Sequence, residues 1–156
     1  TTRNGTFTAE VRSLSQLLSQ EIGEATSPHC RVRNLGDSRC KKTLTSFTHT
    51  TTVSAVTDRR RFTVGTTQAD GYFNYGTIAF TSGANLGFSM EIKASVGAQI
   101  ELTLPFSREI VVGDTCTLIA GCDRTRATCR DKFSNVVNFQ GEPDLPGDRK
   151  TLKIPE

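Results

Sequence analysis

Two pairs of cysteines bracket this chain, and they constrain its fold more than any other feature. Cys30 and Cys40 enclose nine residues near the front, and Cys122 and Cys129 enclose six near the back. Each pair ends a short polar loop. Almost all of the β-patterned sequence lies between the loops, and the reading is that the two loops meet in space and share one bound centre. Neither spacing is the two-to-four residue interval of zinc fingers, and neither matches the ferredoxin runs. The arrangement says more than the spacing: four thiols in loops at strand ends can converge on one small centre. Thiolate is the metal-binding form of cysteine and is favoured by nearby cations. Arg31, Arg33, Arg39, Lys41, Lys42, Arg124, Arg126 and Arg130 flank these loops.

The body between them reads as strands. Leu86, Phe88, Met90, Ile92, Ala94 and Val96 alternate strictly with other residues, the pattern of a half-buried strand over Leu86 to Val96. Ile100, Leu102 and Leu104 share a face over Gln99 to Leu104. Tyr72 to Thr81 reads as a strand interrupted at Gly76. Short turns join these three, which predicts an antiparallel meander. Further strands are predicted over Leu44 to Val56, Arg61 to Gly65 and Asp114 to Ala120. In the last of these Cys116 alternates with Leu118 and points into the core. At the front, Gly5 to Arg12 alternates as a strand. Leu14, Leu17, Leu18 and Ile22 then recur at helical spacing, with Ser13 and Gln16 forming a capping box and Gly23 as the stop. Asn34-Leu35-Gly36-Asp37 reads as a tight turn with Gly36 at positive φ. The predicted architecture is mainly β: an antiparallel sandwich or barrel-like domain over residues 1–141, with one short N-terminal amphipathic helix and the two cysteine loops brought together. Residues 142–156, rich in proline and charge, read as an extended arm.

A chain of 156 residues suits one domain and can bury a core without cross-links. Five cysteines is an odd number, which suits a reducing compartment better than a disulfide framework, although disulfides stay open on count alone. The net charge of +3, from 19 basic and 16 acidic residues, falls short of a nucleic-acid footprint. No apolar run reaches the roughly 18 residues of a membrane-spanning helix. Catalysis by a cysteine nucleophile needs a facing base. His29 is the sequence neighbour of Cys30, and His49 sits in a Thr-rich strand, so no enzyme is expected. Asp37, Asp114 and Asp123 stand beside glycine or in turns and read as turn formers. Tyr72, Phe73 and Tyr75 are the candidate aromatics of a glycan-binding alternative. Asp58-Arg59-Arg60-Arg61 reads as a solvated charged turn.

Several stretches together resemble the C-terminal regions of baseplate hub proteins from phages and gene-transfer agents. They are Leu35-Gly36-Asp37-Ser38-Arg39-Cys40, Gly113-Asp114, Gly121-Cys122-Asp123-Arg124-Thr125, Thr128-Cys129, Phe133, Asn135 and Asn138-Phe139-Gln140-Gly141. The layout is similar to that of the tail tip protein L of phage lambda. The resemblance covers about residues 5 to 147. It departs after Gly141, where members often carry an aromatic residue and this chain has Glu142-Pro143. It implies a β-rich virion module at the tail tip, assembled in the host bacterial cytoplasm. By resemblance, a [4Fe-4S] cluster is held by Cys30, Cys40, Cys122 and Cys129, and Cys116 is a core thiol. It also implies a homotrimeric hub that contacts a distal tail protein and a central fibre or tip attachment protein. Zinc on the same four ligands, and a redox-active rather than structural cluster, are the alternatives for the centre. No sequence-specific nucleic-acid contact is expected.

Overall fold

A computed structural model of the chain describes residues 2–3, 6–7 and 23–145. Two-residue strands β1 (Thr2–Arg3) and β2 (Thr6–Phe7) pair antiparallel. The helix expected over Leu14 to Ile22 and the arm beyond residue 145 lie outside the described residues. The body is a closed barrel of β3 (Thr48–Val56), β4 (Arg61–Val64), β5 (Thr77–Phe80), β6 (Ser89–Val96), β7 (Gln99–Leu102) and β8 (Thr115–Ile119), in the order β3-β4-β7-β6-β5-β8. Every neighbouring pair is antiparallel, and β8 closes onto β3. Closure removes the exposed edges that an open sheet of β-branched residues would present. The mainly β, barrel-like expectation holds, including the meander β5-β6-β7.

Inward side chains fill the barrel. Phe62, Ile78, Ile92, Ile100, Leu102 and Leu118 are fully buried, and Phe80 stacks edge-on with Phe106 at 5.0 Å. Cys116 lies among them with no exposed surface, as the alternation predicts. Burial, reinforced by Asp114, pushes its thiol up to about 11, so it is an inert neutral core group at physiological pH.

Three elements differ from the sequence pattern. The strand expected from Leu44 begins with a 3-10 turn, Thr45–Phe47, before β3. Tyr72 to Tyr75 is a turn rather than the start of a strand; β5 begins at Thr77, and Tyr75 sits at φ 63. The alternation of Leu86 to Val96 also fails at both ends. Leu86 and Phe88 precede β6 and are exposed, and a register shift between Ile92 and Ala94 reverses the faces beyond it. Val96 is thereby turned outward and Ser95 inward, because side-chain period in a strand is two and one extra residue inverts it. Leu104 likewise lies past the end of β7 and is exposed.

That bulge serves the turn next to it. Ser95 Oγ accepts from Phe73 N at 3.1 Å, Ser95 N donates to Asn74 Oδ1 at 2.7 Å, and Gly71 N donates to Ser95 O at 2.8 Å. The buried hydroxyl and backbone of Ser95 thus satisfy polar groups of the 71–75 turn, which would otherwise be costly to bury. The turn stands at the end of the barrel where β8 exits and where the cysteine loops lie.

Candidate functional site

β8 delivers Ala120 and Gly121 to that end, and Gly121 is packed backbone to backbone against the 71–76 turn. A Cβ at Gly121 would overlap Asn74 O and Gly76 N, and one at Gly76 would overlap Ile119 O. Lys132 pins the same junction. Its Nζ donates to Tyr72 O at 2.5 Å and to Gly121 O at 2.8 Å and lies 4.6 Å from the Tyr72 ring centroid. Burial holds its pKa below the ordinary lysine value, partly offset by Cys122 and Asp123.

Cys122 follows directly. Asp123 Oδ1 accepts from both Thr125 N and Thr125 Oγ1 at 2.9 Å, a side-chain turn. Thr125 then caps helix α1 (Arg126–Asp131), its Oγ1 accepting from Thr128 N at 3.2 Å. Cys129 sits on the buried face of α1. The second cysteine loop is therefore half helix, where the sequence reading expected loop alone. The signal was present as Thr125 three residues before Thr128, but six residues are too few for a readable helical period. Beyond α1, Phe133 is buried and packs on Phe47 with ring centroids 5.0 Å apart.

The first loop folds on itself. Gly36 has φ 83, and Asp37 N donates to Asn34 O at 3.2 Å, the tight turn read from sequence. Asp37 Oδ1 accepts from Arg39 N at 2.9 Å and Cys40 N at 2.8 Å. The loop is then stitched to the far end of the chain. Cys30 N donates to Arg124 O at 2.9 Å, Arg124 Nη2 to Arg33 O at 3.3 Å, and Arg31 N to Gln140 O at 3.3 Å. Glu142 N donates to Ser27 O at 2.8 Å, and Glu142 Oε2 receives Arg31 Nη1 at 2.7 Å and Ser27 N at 3.2 Å. Residue 142, read as the first of an extended arm, is bonded to the body by these contacts. Gly141 allows this approach, because a Cβ there would lie 2.8 Å from His29 C and O.

The structure brings all four candidate ligands together. Cys30, Cys40, Cys122 and Cys129 line one cavity of about 570 Å³, together with Arg33, Tyr75, Glu91, Arg124 and Asn135 among others. All are free thiols. Two of the sulfurs have amide donors beside them: Gln140 N at 3.4 Å from Cys30 Sγ, and Asn135 Nδ2 at 3.5 Å from Cys40 Sγ. Burial raises the Cys122 thiol, against an opposing hydrogen bond from the Arg124 backbone. Burial, then the facing Cys122, Cys30 and Cys40, push the Cys129 thiol up to about 11. Crowded sulfurs resist ionising one beside another, and a cationic centre among them would relieve the penalty. Among the described residues no three His, Cys, Asp or Glu side chains are grouped closely enough to hold a single metal ion.

The flanking charges are arranged differently from the sequence expectation. Arg33 and Arg124 line the cavity, but so do Glu91 and Asp123. Arg31 is paired with Glu24 and Glu142, Arg39 with Glu24, Arg126 with Asp144 and Arg130 with Asp131. Lys42 lies 5.4 Å from the Phe47 ring centroid. Of eight flanking cations, Arg33 and Arg124 line the cavity. His29 is exposed, and His49 is half-buried between the Tyr72 and Phe73 rings at 5.6 Å; neither lines the cavity. Phe73 is a buried core residue, while Tyr75 is exposed at the cavity. Sequence reasoning named Tyr75 only as a glycan-binding candidate, and Asn135 and Gln140 only among the residues that carry the resemblance; their places beside the cysteines come from the fold.

Comparison with known proteins agrees with the resemblance in outline. Residues 1–43 match the profile described as Baseplate hub protein, N-terminal attachment domain. No curated protein sequence matches the chain. Among solved structures, a chain of the "Virion of native gene transfer agent (GTA) particle" superposes with a TM-score of 0.78 at 32% identity. The match covers 100% of this chain and 56% of that one, so this chain spans a little over half of its relative's length. Residues 71–148, half of the chain and including Cys122 and Cys129, match the family described as Phage conserved hypothetical protein BR0599, and the chain belongs to that family.

Proposed function

We propose that this chain is a structural module of the tail tip or baseplate hub of a phage-like particle, and that its two cysteine loops are joined by one bound iron–sulfur centre. The observation that carries the site is the convergence of Cys30, Cys40, Cys122 and Cys129 from opposite ends of the chain onto one cavity. The observations that carry the setting are the baseplate-hub profile over residues 1–43 and the likeness to a chain of a gene-transfer-agent virion.

The donor set fits the proposed group. Four thiols with amide N–H groups beside two sulfurs form the kind of environment in which cysteine-ligated iron–sulfur clusters are held. A [4Fe-4S] cluster would supply strong bonds that cross-link the loops, and Cys30, Cys40, Cys122 and Cys129 would be its ligands. Zinc on the same cysteines is the second reading. The chain's own contribution is positional. The barrel fixes Gly121, Asp123 and Thr125 orient Cys122 and Cys129, and the Arg31–Glu142 pair with the Gln140 backbone holds Cys30 against them. In this role the module performs no catalysis. It presents a fixed surface to neighbouring tail proteins, such as a distal tail protein and a central fibre or tip protein, within a trimeric hub assembled before release from the host.

Antibodies raised against the barrel are expected to label the tail tip of the particles under electron microscopy. Label confined to the head, or absent from particles, would contradict the assignment.

A further inference from the structure

Asn135 stands between the two halves of the site. It is buried, and its four polar groups all have defined partners, the backbone O accepting from Asn138 N at 3.0 Å. Its Nδ2 donates to Cys40 O at 2.7 Å and lies 3.5 Å from Cys40 Sγ. Its backbone N donates to Cys129 O at 2.9 Å. Its Oδ1 accepts from Asn138 Nδ2 at 2.8 Å, which fixes the amide so that the NH₂ group faces Cys40. One side chain thus bonds a cysteine of the first loop while its backbone bonds a cysteine of the second. No other described side chain donates to a cysteine sulfur.

We infer that Asn135 is a positioning residue that sets the orientation of the Cys40 sulfur and tunes the centre held there. The inference rests on the iron–sulfur reading only for its electronic part. Mechanically, the Cys40 O contact anchors the end of the first loop to the chain that follows α1. Losing it leaves a buried carbonyl unpaired and frees the loop end. Electronically, an N–H group on a ligating sulfur stabilises the more negative, reduced state of a cluster, so its removal shifts the reduction potential downward. Phe133 and Val32 line the same cavity and supply no such donor, and Arg124 Nη2 reaches the Arg33 backbone oxygen instead. Among the described side chains this leaves the Asn135 amide as the means of adjusting the sulfurs, beside the backbone N–H groups of Gln140 at Cys30 and Arg124 at Cys122.

Two measurements test the idea in the intact chain. In metal-free protein, iodoacetamide labelling followed by mass spectrometry reports each thiol. Asn135→Ala and Asn135→Asp are expected to raise the labelling rate of Cys40 several-fold while buried Cys116 stays unlabelled, which shows the barrel intact. In protein reconstituted with iron and sulfide, both variants are expected to show a more negative midpoint potential with the same iron content as wild type. Asn135→Gln, which keeps an amide donor on a longer stem, is expected to recover part of that shift. Unchanged Cys40 labelling would overturn the mechanical part whatever the metal content. A loaded Asn135→Ala protein with the wild-type potential would overturn the electronic part. A wild type that takes up no iron and sulfide would remove the iron–sulfur reading and the electronic part with it, leaving the labelling result to decide the rest.

Discussion

Gly121→Ala is expected to be the most damaging single substitution in the described chain. The added methyl group would overlap three backbone atoms, Asn74 O, Asn74 C and Gly76 N, rather than the movable end of a side chain. Relief requires the 71–76 turn to separate from the end of β8. That would strain the Ser95 bonds to Phe73 and Asn74 and pull Gly121 O away from Lys132. A clash that can be relaxed only by moving packed backbone belongs at the far end of the range for point mutations, about 4 kcal/mol or more. Urea denaturation of the metal-free protein measures it. Gly23→Ala is the control, since a Cβ there meets nothing within 4 Å and its backbone is not left-handed. A Gly121→Ala protein with the wild-type midpoint would show that the two backbones are not in contact.

Cys122→Ala tests the role of the centre. Without a bound centre the substitution removes a half-buried thiol and costs little, roughly 1 kcal/mol by analogy with small core truncations. The loaded protein behaves differently, because a ligand that binds the folded state alone stabilises it by mass action, about 4 kcal/mol when present at a thousand times its dissociation constant. The site exists only when both loops are folded together, so the binding energy becomes folding energy. Loaded wild type is therefore expected to unfold at much higher urea than Cys122→Ala prepared in the same way, and the two metal-free proteins are expected to differ little. Equal midpoints for the loaded samples would sink the structural role and favour a centre kept for electron transfer.

Much of this arrangement is legible in the residues. Alternation located the strands that fill the barrel, placed Cys116 and Leu118 inward, and identified Gly36 as a left-handed turn residue. The two bracketing cysteine pairs signalled that the ends of the chain must meet. The failures have physical causes. Alternation is blind to a bulge, so Val96 was expected inside and Ser95 outside, when one extra residue after Ile92 reverses them. Gly76 was read as an interruption within a strand. It marks instead a close crossing with Gly121, 45 residues later in the chain, a contact that no local pattern can reveal. The arginines and lysines around the cysteines suggested a cationic nest, but sequence does not show which have carboxylate partners. Glu24, Glu142 and Asp144 engage three of them. Asn135 carried no periodic signal, and its position became meaningful only when Cys40 and Cys129 were seen on either side of it.

The most direct measurement is the composition of the bound centre. The chain is purified without oxygen from cells that overproduce cluster-assembly proteins, and iron, acid-labile sulfide and zinc are assayed alongside the visible absorption spectrum. The account expects a brown protein with iron and sulfide in roughly equal amounts, and both lost in Cys40→Ala and Cys129→Ala. A colourless protein with stoichiometric zinc would keep the four ligands and replace the centre. A colourless, metal-free protein with paired disulfides would contradict the shared site itself.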